Sequence, residues 1–320
     1  MGSATPIFVG AVGGRAPWAR GATLGAWQGR AGRVGLGQPN SGIPMRLSFL
    51  APVLAAVSVA FAAPVVASQT DEIMAVLRLP EVFSILSAEG ESYGEELDAN
   101  MLDGAGGAAW AEAVRQIYQP DRLLPQFETA LRRAVDASGT DFAPVLEQFR
   151  SDLGVQATSL EISARRAMLD PDVEDASRLT LEDLRAEEAP RLALIEAFVS
   201  VNNLVEDNVT SGLNANLAFY QGLRDAGAIG PEMSEGDMLA EVWSQEDAIR
   251  AETDTWVNAY LTMAYAPLSD DELRRYTDMT RGAEAQALNR VITEAYNAVF
   301  MDVSRQLGRA AGAVLAGQDL

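Results

Sequence analysis

"GAEAQALNRVITEAYNAVFMDVSRQLGRAAGAVLA", residues 282–316, decides the fold class. Leu288, Ile292, Val299, Val303, Leu307 and Val314 fall on one stripe of an α-helix. At 1.5 Å per residue such a helix is about 50 Å long, so it must lie across much of its domain. Immediately upstream, Ser269-Asp270-Asp271-Glu272 reads as a capping box, the Ser hydroxyl taking the third amide and Glu272 reaching back. It opens a short helix to about Met279.

Helical spacing continues toward the N-terminus, and the Val/Ile/Thr alternation of strands is almost missing. Pro267 stops a helix expected over 234–264, with Leu239, Val242, Ile249, Trp256, Tyr260 and Leu261 inward. Gly227 and Gly230-Pro231 end a longer one expected over 190–223, with Ile195, Phe198, Val205, Val209, Leu213, Leu217 and Tyr220 on its stripe. "LDPDVEDASRLT", residues 169–180, reads as a linker, after which Thr180 and Asp183 form an N-cap arrangement. Further helices are expected over 141–168, 121–135, 108–118, 81–97 and 72–79. The expectation is an all-α, multi-helix bundle of two packed helical layers or hairpin subdomains. The N-terminal subdomain would span 68–169, the acidic linker 170–179 and the C-terminal subdomain 180–320. "DFAPVLEQFRSDLG" (141–154) and "DDELRRYTDMTRG" (270–282) echo one another faintly, as a duplicated helical hairpin or two chance amphipathic helices would.

The region 257–310 resembles the domain of unknown function 2059, a family of small exported bacterial all-helical domains. The resemblance rests on Leu268, Ser269, Glu272, Leu273, Tyr276 and Gly282 in "PLSDDELRRYTDMTRG". Members often carry a second aromatic and a Ser before the Gly; this chain has Thr277 and Met279, while the earlier echo has Phe149 and Ser151 ahead of Gly154. The resemblance implies an exported helical protein and brings no activity and no catalytic residues.

The stretch 45–67, "MRLSFLAPVLAAVSVAFAAPVVA", agrees with export. Arg46 precedes an uncharged apolar run that ends in small residues, which predicts a signal peptide cleaved between Ala67 and Ser68. The rival is an uncleaved anchor, which Pro52 and Pro64 weaken. Residues 1–44 are Gly-rich, with Arg15, Arg20, Arg30 and Arg33 and no acid; they read as a disordered extension or a mis-called start, with Met45 the initiator. The expected location is the periplasm.

All 45 acidic residues follow Ala67, whereas five of the 24 basic ones precede Ser68, so the mature part is more negative than the whole-chain −21. Such a surface repels phosphate backbones, and nucleic acid is excluded as a partner. Stable membrane association is not expected once the leader is cleaved. The chain has no His, no Cys and no Lys. Without them there is no disulfide, thiol chemistry or Cys-ligated zinc, no Ser-His-Asp triad, no Schiff base and no P-loop clamp. No cofactor and no metal is expected.

The remaining candidates are few. Asp170, Asp172, Glu174 and Asp175 are rich in oxygen but lack the turn and terminal Glu of a calcium loop. Gly104, Gly106 and Ala109 fit a dinucleotide pattern without the strand it needs. Asn202, Asn208 and Asn216 lie near an apolar stripe, where paired amides set helix register or bind a small polar ligand. Trp110, Trp243, Trp256, Tyr260 and Tyr265 suit a core or a partner patch. Carboxylate pairs are the only acid–base machinery left. The reading is a non-enzymatic, exported protein-interaction module that binds a protein partner or itself. The alternatives are a periplasmic small-molecule or lipid carrier, with an apolar cavity, and a carboxylate hydrolase, with two acids converging in a cleft.

Overall fold

The structure, a computed structural model, describes residues 68–317; the leader with Ala67, and the extension before it, lie outside them. Among the described residues there are thirteen α-helices and no strand, the all-α bundle that the periodicity predicts. They are α1 (Gln69–Val76), α2 (Leu79–Met101), α3 (Gly107–Ile117), α4 (Pro120–Ser138), α5 (Ala143–Phe149), α6 (Asp152–Ala167) and α7 (Pro171–Ala186). The series continues with α8 (Pro190–Val201), α9 (Leu204–Asp225), α10 (Glu235–Trp243), α11 (Glu246–Tyr265), α12 (Asp270–Thr280) and α13 (Ala283–Leu315).

α13 is the axis. Its stripe packs along α9 and α4 and touches α3, α5 and α12. α11 is the second organiser, packed against α6, α7, α8 and α9. The two expected subdomains therefore share a core, in which Phe83 and Phe127 of the first half pack against Tyr296 of α13. Residues 68–317 belong to one compact unit.

Where the chain departs from the expected elements, capping chemistry explains it. The expected linker 170–179 is the first half of α7. Asp170 is its N-cap, accepting from the Asp172 amide at 3.0 Å, and Pro171 takes the first helical position. Asp172 and Glu174 in the first turn complement the helix dipole, so the Pro and acids that read as a breaker are a helix start. Thr180, expected as a cap, lies within α7 and donates to the Ala176 carbonyl at 2.9 Å.

The long helix expected over 190–223 is two. Asn203 sits at φ 52°, a left-handed conformation Asn tolerates better than most residues, and the Asn202 amide takes the Phe198 carbonyl at 2.8 Å. The run 234–264 breaks at Ser244, whose hydroxyl turns back to the Glu241 carbonyl. The run 141–168 breaks at Ser151, which caps α6. The corner is so tight that a Cβ on Gly154 would lie 2.6 Å from the Phe149 Cα.

Candidate functional site

Three helices leave a groove on one flank of the bundle. α7 forms one wall, α8 and α11 the other, and the start of α12 closes an end. Its volume is about 810 Å³, within the range of small-molecule sites. Val173, Ala176, Leu184, Ile195, Met263 and Leu268 make the lining mainly apolar. Leu184 of the lining packs against a small buried cluster of Leu181, Leu192 and Ala259. The α7–α11 seam is held by the Ser177 hydroxyl on the Ala259 carbonyl at 2.8 Å and by Arg178, which bridges Glu174 and Glu252 at 2.8 and 2.6 Å.

The polar groups of the groove are sparse. Arg191 donates to Asp270 Oδ1 at 2.7 Å and to the Tyr265 and Leu268 carbonyls at 2.7 and 2.8 Å. Those carbonyls belong to the end of α11 and the turn after it, so the guanidinium serves as a C-terminal cap. Asp270 is half exposed, whereas Arg191 is mostly covered. Thr262 is buried in the α11 wall, and its hydroxyl has no hydrogen-bond partner.

A polar layer lies within the core. Glu161 of α6 is wholly buried; its Oε1 accepts from Tyr265 Oη at 2.6 Å and Tyr276 Oη at 3.0 Å, and its backbone carbonyl accepts from Tyr260 Oη at 3.0 Å. Burial pushes its carboxyl up to about 7, against the pull of the two hydroxyls. Glu89 of α2 meets Arg165 of α6 side-on, with two bonds of 2.8 Å, both residues buried. Burial raises the Glu89 carboxyl although Arg165 pulls the other way. Neither carboxylate lines the groove. Sequence reasoning passed over both among many acids, yet the spacing places them. Glu161 falls four residues after Ala157 and four before Arg165, all buried, and Glu89 falls between Leu86 and Tyr93 on the α2 core stripe.

The other sequence candidates are scattered. Asn202 ends α8, the Asn208 amide donates to the Leu204 carbonyl, and the Asn216 amide reaches Gln245 at 3.4 Å; the three are buried at different levels and none lines the groove. Leu268 lines the groove, Ser269 and Glu272 cap α12 reciprocally, Leu273 and Tyr276 enter the core, and Gly282 is the N-cap of α13. Ser68 is the N-cap of α1, in a capping box with Asp71. Of the aromatics, Trp110, Trp256, Tyr260 and Tyr265 are buried, while Trp243 is 54% exposed. Gly104 and Gly106 lie in the turn between α2 and α3. Among the described residues no three carboxylates converge as a metal site requires, and no helix is long and apolar enough to cross a membrane. No protein-family profile, curated protein or solved structure matches the chain.

Proposed function

We propose that this is an exported, non-enzymatic binding protein whose working surface is the α7–α8–α11 groove, and that it carries a small apolar or amphiphilic molecule. The observation that supports this is the groove itself, an open apolar concavity of about 810 Å³ beside a continuous core. The two carboxylates with raised pKa lie in the core, Glu161 on tyrosines and Glu89 on Arg165, and neither lines the groove. That disfavours the hydrolase. Native mass spectrometry of the protein purified from its cell envelope tests the carrier: a bound small molecule released by organic solvent is expected. A bare mass, together with no uptake of added amphiphile, would sink it.

A second reading, a protein-interaction module, is supported by α10. Leu239 and Trp243 lie one turn apart on that helix, 43% and 54% exposed.

Export is part of the proposal, and the resemblance over 257–310 supports it. The Ser68 amide donates to Asp71 Oδ2 at 3.0 Å. Cleavage after Ala67 would turn that amide into an ammonium facing a carboxylate, a stronger bond at the helix start. N-terminal sequencing of the envelope protein is expected to begin Ser-Gln-Thr-Asp; a start at Met45 would replace export with anchoring.

A further inference from the structure

Resting on the carrier reading of the groove, we propose that the ligand is a single-chain amphiphile with a carboxylate head, bound through Arg191. The chain is specified by shape and lining. Along α7 the lining runs from Asp172 to Leu184, about 18 Å at 1.5 Å per residue, and the side chains facing it are chiefly Val173, Ala176, Ile195 and Met263. A long, mainly apolar trough suits one extended hydrocarbon chain.

The head is specified by the one cation of the lining, Arg191. A guanidinium has five N–H donors, and Arg191 spends three bonds, one on Asp270 and two on carbonyls. The carbonyls fix its plane, leaving donors free beside a counter-ion that is itself half in water. Asp270 can be released to solvent, and a ligand carboxylate then takes its place in the planar, two-bond geometry that guanidinium favours. A doubly charged phosphate head is disfavoured, because Arg191 is the one cation of this lining and stands with Asp172 and Asp270.

The test is calorimetric titration of the purified protein with decanoate, 1-decanol and decylammonium, each below its aggregation concentration. Decanoate is expected to bind at least ten-fold tighter than decanol and than decylammonium. Asp270→Asn removes the competing carboxylate without touching the core, and is expected to tighten decanoate several-fold while leaving decanol unchanged. Arg191→Met is expected to abolish the preference for decanoate over decanol. Decanol or decylammonium binding as well as decanoate would overturn the head assignment and leave the groove reading standing. An unchanged decanoate affinity in Asp270→Asn would do the same. If none of the three binds, or if Met263→Trp, which fills the trough, leaves binding intact, the groove reading itself fails.

Discussion

Tyr265 and Glu161, 104 residues apart in the chain, meet in the core at 2.6 Å, hydroxyl to Oε1. Tyr276 brings a second hydroxyl to the same oxygen at 3.0 Å, while Oε2 has no hydrogen-bond partner. This half-satisfied carboxylate joins α6, α11 and α12, and Phe198 of α8 packs its ring against both Tyr265 and Tyr276. The walls of the groove are thus anchored on a titratable group that solvent does not reach.

The sign of the pH dependence follows. In the folded protein the Glu161 carboxyl is raised from 4.5 to about 7, so the folded state binds the proton more tightly than the unfolded one. The resulting stability is full below about 4.5 and is lost as pH rises through about 7. The gap corresponds to roughly 3 kcal/mol. Urea unfolding at pH 5 and pH 8 is expected to show the protein more stable at pH 5. Glu161→Gln keeps an oxygen for the tyrosines and is expected to flatten most of that slope; Glu89, shifted in the same direction, leaves a remainder. Asp225 acts oppositely and elsewhere. Held down to about 2 by Arg305 and Arg309, it destabilises only as pH falls below about 4. A Glu161→Gln profile parallel to the wild type would rule the account out.

Glu89 and Arg165 make a different expectation. Removing one member of a buried pair strands the other charge, at a cost of about 3–5 kcal/mol. Glu89→Leu is therefore expected to lower the urea midpoint sharply. Glu89→Leu with Arg165→Met is expected to recover part of the loss, because it removes both charges at once. A double variant no better than the single one would show that the remaining Arg165 contacts, and not the pair, carry the stability.

The sequence reveals the helices and conceals their arrangement, for reasons that particular residues show. The α13 stripe is legible because its period is set by local geometry, and the Ser269–Glu272 box because its chemistry spans four residues. Asn203 hides a helix break because a left-handed Asn and a helical Asn are spelled alike. Pro171 and its neighbouring acids mislead because a helix start and a linker share a composition. The groove is invisible in any single stretch. Its walls come from three separated segments that meet only once the helices are packed.

Gly222 and Gly308 mark where α9 and α13 touch backbone to backbone. A Cβ on Gly308 would lie 2.1 Å from the Phe219 carbonyl oxygen, and one on Gly222 would lie 2.2 Å from that of Arg305. Neither obstacle is a side chain that can rotate away, so Gly308→Ala must push apart the axis of the bundle. A loss of about 1–3 kcal/mol is expected, seen as a lower melting temperature. Gly212, also on α9, is the control. Its added Cβ would find only Ile249 Cγ2, at 3.7 Å, and Gly212→Ala is expected to raise the melting temperature by restricting the unfolded chain. Equal effects at the two positions would mean that helix propensity, and not the close crossing, sets the outcome.

Ser269 links the cap of α12 to the groove. Its hydroxyl accepts from the Glu272 amide at 3.3 Å, and Glu272 Oε2 accepts from the Ser269 amide at 2.8 Å. Asp270, the next residue, is the counter-ion of Arg191. Loss of the cap therefore loosens the first turn of α12 and, with it, the carboxylate at the groove end. Ser269→Ala is expected to cost about 1 kcal/mol, a fall of a few degrees in melting temperature. Ser269→Asp, which can still accept from the Glu272 amide, is expected to stay near the wild type. Faster hydrogen exchange in Ser269→Ala should be confined to the first turn of α12 and the end of α11, where Arg191 holds the Tyr265 and Leu268 carbonyls. Exchange that quickens instead throughout α13 would show that the cap supports the bundle as a whole and does not serve the groove in particular.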